Sequence, residues 1–432
     1  MIVFILRRFI LLFLTMIFVS MAVFIIAESS PGNIAKNVLG AFITPEQEAS
    51  FIRQNGLDKP MTTRYIHWII GNDFIAEKKI GLPITKITTD EGFEEWWAVE
   101  RDGSLIRWKV AENDVIAVTR SEDGSVREEK DNSRWTRVDE KTHEFWGLDL
   151  QNHAVRWVKG DTEKVWTFVM GKGWVESTGG PKEYIPLKKG FLRGDPGVSF
   201  RTGRPVSKSL FVRLRNSIVL ASIAFAIVMP LALLLGMIAG LREGSFKDRF
   251  LSIGGMMFSV IPEFATGIFL TLIFSVWLGW FPGAAVLGDS PPWEKPMMLV
   301  LPVLTLTLIE LGYVLRITRA SMVEVMKSPY IRTAFLKGLP YRKVVMKHAV
   351  RNALIAPITV IMLHVNWLLG GIVIVEVVFG YPGLGAYLLE SALYKDFNAL
   401  EAGAMIMVAT AVGTQLLADI IYTFLNPRIR YA

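Results

Sequence analysis

Three acidic residues stand inside apolar stretches of this 432-residue chain: Glu263 directly after Pro262, Glu310, and Glu376. A carboxylate in such surroundings is costly and has to face protein or water. Glu263 or Glu310 could bind a substrate amine or carry protons; a hydrogen-bonded contact between helices is the plainer alternative and the one favoured. Charge of the opposite sign collects between Tyr330 and Leu354, where Arg332, Lys337, Arg342, Lys343, Lys347 and Arg351 occur without one acidic residue. The five His are scattered, and His364 with Asn366 reads as a packing pair rather than a metal site. The absence of Cys removes disulfides and thiolate ligands. Gly171 and Lys172 are followed by neither Ser nor Thr, so no phosphate-cradling loop is expected. No catalytic residue and no metal site is expected on the chain.

The elements that must position these groups are six apolar segments, at about 9–27, 218–241, 250–278, 297–317, 354–378 and 402–425, each long enough to span a bilayer. Arg7 and Arg8 precede the first, which has a signal sequence's charge order but no clean small-residue cleavage site, and it reads as a retained helix. Arg242, Lys247 and Arg249 fall between the second and third segments, and Arg428 and Arg430 follow the sixth. With the basic stretch 330–354, these put both termini on the cytoplasmic side and residues 28–210 outside. The net charge of +7 is therefore read as membrane anchoring rather than nucleic-acid binding. Arg213 and Arg215 run against that rule beside a large exported segment. Pro230, Pro262 and Pro302 should kink their helices. Within the basic stretch, Ser328 is placed to cap a helix with Pro329 at its first position, Gly338 to end it, and Pro340 to open a second. Two short helices joined at a Gly make a rigid projection suited to docking.

Residues 74–194 have another texture, with 20 basic against 22 acidic residues and eight of the thirteen Trp: Trp96, Trp97, Trp108, Trp135, Trp146, Trp157, Trp166 and Trp174. Alternating apolar and polar residues with Asp-Gly turns at Asp102 and Asp123 predict short strands. SLIRWKV (104–110) and HAVRWVK (153–159) share an apolar-apolar-Arg-Trp core, a hint of duplicated hairpins. Core packing is the favoured role for the Trp, sugar stacking the alternative.

Several motifs outside 74–194 carry a resemblance: GLDKPMTTRYIHW (56–68), RGDPGVSFRTGRPV (193–206), the basic loop, VEVVFGYPGLGAYLLESAL (375–393) and DIIYTFLNPRIR (419–430). Together they resemble the first of the two permease subunits of bacterial dipeptide and oligopeptide ABC importers, whose relatives also import nickel, glutathione or oligosaccharides. The resemblance implies an all-α polytopic membrane protein of the type I ABC importer permease fold, with six transmembrane helices and a small, mostly β extracytoplasmic insertion. The expected division is 1–73, first helix and start of the loop; 74–194, insertion; 195–432, permease core. Gly71, Asn72 and Asp73 look like the start of a short family loop that resumes at Gly194 and Asp195.

The same resemblance implies an ATPase-coupling loop at 328–351, carried by Ser328, Tyr330, Arg332, Thr333, Ala334, Lys337, Gly338, Leu339 and Arg342. Arg332, Thr333 and Ala334 stand where a Glu-Ala-Ala pattern is general, and His348 to Arg351 depart from the general ending, as in the peptide branch. An extracytoplasmic gate is implied at Phe379, Gly380, Tyr381, Pro382, Gly383, Leu384 and Gly385, with Glu263, Glu310 and Glu376 as pathway candidates. Expected partners are a second homologous permease, two ATP-binding subunits that hold ATP and Mg, an extracytoplasmic solute-binding protein and membrane lipids; no cofactor is expected on this chain. Peptides are the expected cargo, with oligosaccharides, nickel or another small solute as alternatives. A membrane-anchored ligand sensor and a proton-coupled carrier are the readings from other classes.

Overall fold

The computed structural model describes residues 2–29, 34–40, 42–111, 114–121, 123–160, 164–169, 173–178, 181–288 and 290–425, with side chains left undescribed at 2–8, 164–169, 173–178, 181–182, 362–371 and 419–425. The Gly171–Lys172 pair, the side chains of Trp166, Trp174, His364 and Asn366, and the side chains of the 419–430 motif lie outside this description. Helices α1 (Ile2–Ser29), α2 (Ile34–Leu39), α3 (Pro45–Gln54), α4 (Met61–Ile69) and α5 (Asp73–Ile80) precede the strands β1 (Ile84–Thr88), β2 (Glu94–Val99), β3 (Leu105–Ala111), β4 (Asp114–Arg120), β5 (Val126–Lys130), β6 (Thr136–Arg137), β7 (His143–Leu148), β8 (His153–Lys159), β9 (Lys164–Val169), β10 (Gly173–Thr178) and β11 (Pro181–Pro186). Then come α6 (Val206–Leu241), α7 (Phe246–Val260), α8 (Glu263–Leu270), α9 (Val300–Met326), α10 (Pro329–Leu336), α11 (Tyr341–Lys343), α12 (Val350–Ala353), α13 (Ile355–Val378), α14 (Leu384–Tyr394) and α15 (Phe397–Leu425). Two compact units result, one of residues 1–21, 210–390 and 403–432, the other of 22–209 and 391–402.

In the first unit α9 is the central helix, packed on α7, α8 and α13. Its contacts are close because glycines remove the intervening Cβ. A Cβ on Gly312 of α9 would lie 2.0 Å from the Gly255 carbonyl oxygen of α7, and one on Gly236 of α6 would lie 2.5 Å from Thr318. Gly236 and Gly240 form a small-xxx-small face on α6, the device by which helices approach in lipid. Among the described residues four helices are long and apolar enough to cross a membrane, Phe9–Ser29, Val206–Leu241, Pro296–Met326 and Phe397–Ala418, or six if each of two bent pairs is one span.

The expected segment 250–278 is not a simple kinked rod. α7 stops at Val260, Ile261 is extended (φ −72°, ψ 131°), and α8 starts after Pro262 at an angle of 107° to α7. The proline ring excludes helical geometry from the residue before it, which turns the expected kink into a break. Pro302 kinks nothing, because it occupies the first turn of α9, where no helical N–H is required. α6 has 36 residues and, at 1.5 Å each, is about 54 Å long, far more than the bilayer core. Its first turns carry Arg213 and Arg215, whose guanidinium groups lie over the rings of Tyr387 and Trp293, at 5.7 and 5.4 Å. Both cations are thus stacked on aromatic faces.

In the second unit β1 to β5 form an antiparallel meander, and β11, β8, β7 and β6 form a second antiparallel sheet, with β9 and β10 a separate hairpin. Both sheets contribute to one core: Trp96, Ala98, Ile106, Trp108, Val115 and Ala117 from the first, Phe145, Leu148, Ala154, Val155 and Trp157 from the second. Phe145 sits between Trp108 (5.5 Å) and Trp157 (5.4 Å), so the two similar Arg-Trp stretches, on β3 and β8, meet through it. Trp96, Trp97, Trp108 and Trp157 are buried, which is the packing role favoured from sequence and removes these four as sugar platforms. Arg107 is buried as well. It bonds the Asp149 carbonyl (3.2 Å) beyond β7, pairs with Glu95 (3.3 Å) and lies over Trp97 (4.9 Å), compensating its own desolvation.

Helix α5 adds Ala76 and Ile80 to this core, which draws the loop before residue 74 into the same unit. The two legs of the β region cross where glycine is required. A Cβ on Gly71 would lie 2.2 Å from the Lys189 carbonyl oxygen, and one on Gly190 would lie 2.4 Å from the Ile70 carbonyl carbon. Buried Asn72 binds across that crossing, its side chain donating to the Pro186 carbonyl (2.9 Å) and accepting from the Lys188 N–H (2.8 Å), while its own N–H donates to the Lys188 carbonyl (2.9 Å). Arg193 pairs with Asp73 on the same side. The ends of the β region are therefore adjacent, as an insertion into a loop requires.

Trp108 is fully buried and donates its indole N–H to Asp131 (2.9 Å). Trp108→Ala should lower the opening free energy of β3 and β4 in the full-length protein by about 3–5 kcal/mol. Hydrogen exchange in detergent measures this, with the amides of α9 as the unaffected reference.

Candidate functional site

The basic stretch folds as a compact projection of two short helices. Gly338 ends the first in the left-handed region (φ +75°), and Pro340 stands at the start of α11, which continues through a π-helical turn, Val344–Ala349, into α12. Ser328 does not cap α10 as its position suggested; its hydroxyl instead donates to the Val325 carbonyl (2.5 Å), closing the end of α9. Ile331, Ala334, Val344, Val345, Ala349 and Ala353 bury one face together with Met322 of α9. Asn352 donates to the Tyr330 hydroxyl (2.9 Å), and Ser321 of α9 donates to the Ala353 carbonyl (2.7 Å). The projection is thus bonded to α9 at its base.

What remains exposed is mixed rather than merely basic. Arg332, Thr333, Lys337, Arg342, Lys343, Lys347 and Arg351 face outward with Leu336 (80% exposed) and Tyr341, Phe335 and Met346, while Leu339 is half-buried. Phe335 and Tyr341 stack at 6.1 Å across the Gly338 turn. The sequence reading of this loop weighed its charges and missed the apolar tip; its signal was an amphipathic repeat whose apolar residues exceed what one buried face can hold. The neighbouring 242–245 loop is tied to α9 by Asp248, which takes both Nε and Nη2 of Arg319, the latter at 2.8 Å, and the Gly244 N–H at 2.9 Å. Lys327 adds a pair with Glu243 (2.8 Å).

The turn at 379–385 is held by Glu376. This carboxylate, fully buried, accepts from the Ser217 hydroxyl and from the N–H groups of Gly385 (2.8 Å) and Ala386 (3.1 Å), the unbonded amides of the first turn of α14. Ser217 accepts in turn from the Leu384 N–H (2.7 Å). Asn216 donates to the Pro382 carbonyl (2.9 Å), and the Tyr381 hydroxyl donates to the Asn216 carbonyl (2.7 Å). A Cβ on Gly383 would lie 2.0 Å from Glu376 Oε1, so glycine is what admits the carboxylate. Phe379 and Tyr381 are buried, and the Phe379 carbonyl accepts from the Ala285 N–H (2.7 Å). Of the three glycines in the turn, Gly380 is the one in the left-handed region, at φ +60°. Glu376 therefore caps a helix from a distance.

The other two acids are placed differently. Glu263 is the half-buried first residue of α8, just past the Pro262 break, and Glu310 is buried on α9. The structure thus sets Glu310 on a buried face of α9, Glu263 at a helix start and Glu376 before a turn. No group of three or more His, Asp or Glu among the described residues could hold a metal ion.

Residues 232–431 match the family model described as binding-protein-dependent transport system inner membrane component, and residues 1–83 match that of its N-terminal part. A Brucella abortus protein provisionally named a peptide transport system permease is 39% identical over 241 residues, which is 55% of this chain and 76% of that protein. The chain belongs to this permease family. A glutathione transport system permease of Pectobacterium atrosepticum is 35% identical over 58% of this chain and 80% of its own length. An oligopeptide transport system permease of Bacillus subtilis is 33% identical over the same shares, 58% and 80%. The chain is a permease subunit of an ABC importer, an inner-membrane transport component and not an enzyme. Neither family model extends over 84–231, the stretch that includes every β-strand described above. Such systems include ATPase and binding-protein components, so this permease works as part of an assembly.

Removing Glu376 and crowding it out should act through one structure. Glu376→Ala leaves buried amides without acceptors, and Gly383→Ala displaces the carboxylate; each should cost about 1–3 kcal/mol. The double variant should be no less stable than Glu376→Ala alone, because the added methyl then enters the vacated space. Thermal unfolding of the four proteins in detergent checks this, and additive losses would contradict the assignment.

Proposed function

We propose that this permease is the first of two homologous membrane subunits of a di- or oligopeptide importer in the bacterial cytoplasmic (inner) membrane. Both termini lie in the cytoplasm and residues 28–210 on the far side, the arrangement favoured by the basic stretches at 242–249 and 330–354. Two ATP-binding subunits supply the energy, holding ATP and Mg themselves, and an extracytoplasmic binding protein delivers cargo. Peptide as cargo is favoured by the names of the relatives, which transport peptides, glutathione and oligopeptides.

The observation that carries the coupling assignment is the exposed tip of the 328–351 projection. Arg332, Lys337, Arg342 and Lys343 surround Leu336 and Tyr341, a basic rim about an apolar centre, which is the anatomy of a protein interface. Nucleotide-driven closure of the ATPase subunits moves this tip, and the bonds from Asn352 to Tyr330 and from Ser321 to Ala353 carry the motion to α9. Rigid helices with discrete contacts transmit such movement. The 379–385 turn, latched by Glu376, Ser217 and Asn216, moves with α13 and α14 as one body instead of flexing as a separate plug.

The test is Leu336→Asp combined with Arg332→Glu in the complete importer reconstituted in liposomes. Binding-protein-stimulated ATPase should fall at least about tenfold, the equivalent of some 1.4 kcal/mol, through loss of ATPase-subunit docking. Unchanged stimulation and unchanged co-purification of the ATPase subunits would place the coupling surface elsewhere.

A further inference from the structure

The second unit contains a cavity of about 230 Å³ among α1, α4, the chain after β11 and the start of α15. Its wall is largely apolar, with Phe24, Leu57, Trp68, Tyr184, Pro186 and Phe200 on it. Most polar groups there have been provided for. Arg64 pairs with Glu28 (2.5 Å) and donates to the Lys59 carbonyl (3.1 Å), Asn72 donates to the Pro186 carbonyl (2.9 Å), and Asn398 donates to the Val198 carbonyl (2.8 Å).

Two lining groups are left over. Trp68 is 2% exposed and its indole Nε1 has no acceptor among the described residues; Glu401 is 3% exposed and its Oε1 has no donor among them. A buried polar atom left unsatisfied is costly, so two against one cavity point to something that occupies it. The Trp68 ring is already stacked on Phe191 (5.0 Å), which leaves its N–H as the group on offer. Lys188 stands on the same wall, and its Nζ donates one long bond, 3.4 Å, to Asn398. Burial pulls the Lys188 ammonium below the ordinary lysine range, with Glu401 opposing that shift.

We infer that this cavity binds a small zwitterion with an apolar body, a free amino acid or a dipeptide, whose ammonium faces Glu401 and whose carboxylate faces Trp68 Nε1 and Lys188. The chemistry of the wall selects that class. An acyl chain would satisfy the apolar lining and leave Glu401 and Trp68 as they are, whereas a sugar would bring more hydroxyls than the wall has partners for. The inference stands on the cavity and does not require that the transported cargo be a peptide.

The experiment is calorimetric titration of the full-length permease in nanodiscs with leucyl-leucine, N-acetyl-leucyl-leucine and leucyl-leucine amide. Leucyl-leucine should bind, and capping either terminus should weaken it about tenfold or more. Glu401→Gln should reproduce the loss from acetylation, and Trp68→Phe, which keeps the ring and removes the N–H, should weaken leucyl-leucine without altering the unfolding temperature. The inference is overturned by no binding to the unmodified protein, as when waters alone fill the cavity, by equal binding of the acetylated dipeptide, or by binding that neither variant changes. Peptide uptake by the assembled importer is read separately, so a failure of the cargo assignment and a failure of this site are distinguishable.

Discussion

A carboxylate buried among backbone amides organises the turn on which α13 and α14 depend. Glu376 reaches back past Gly383 to the first amides of α14, where a helix has N–H groups without intrahelical partners and the positive end of its dipole. Buried amides must be bonded, and the chain has no Ser, Thr, Asp or Asn between Phe379 and Glu390 to do so locally. The acceptor therefore comes from the preceding helix, and Ser217 on α6 joins it, so three helices share one polar cluster. The glycines of the turn follow from this: one at 383 admits the carboxylate, and one at 385 avoids Val373.

The β region obeys a similar rule at its base. An inserted unit tolerates any internal fold provided that its two ends leave and return side by side. Here Gly71 and Gly190 let the legs touch, and Asn72 supplies both a donor and an acceptor to the opposite leg. Because α5 also packs its Ala76 and Ile80 into the β core, the strands and the loop that holds them form one unit. The family models stop short of the strands on either side, in keeping with an addition to an older frame.

Much was legible in the residues themselves. Apolar length and the distribution of Lys and Arg announced a membrane protein, and the order Pro329, Gly338, Pro340 marked the two short helices and their turn. Trp108 and Trp157, in alternating apolar and polar runs, read as strand core and are buried. Other features were misread for physical reasons. Ser328 has the right type and spacing for an N-cap, yet a hydroxyl bonds whichever carbonyl is nearer, here that of Val325. Pro262 was expected to kink a helix, but the extended residue it imposes at 261 ended the helix outright.

What the sequence by itself determined is whatever depends on local covalent chemistry or on composition averaged over a segment: the membrane class, the helix stops at proline and glycine, the alternation of the strands, and the family. What only the tertiary structure decided is which distant groups become partners. The capping role of Glu376 has no local sign, because its apolar neighbours in sequence conceal the amides nine and ten residues on and Ser217 is 159 residues away. Glu401 and Trp68 are likewise unremarkable in sequence. Folding brings them to one cavity, where burial removes the water that would otherwise satisfy them, and only then do their unbonded atoms carry information.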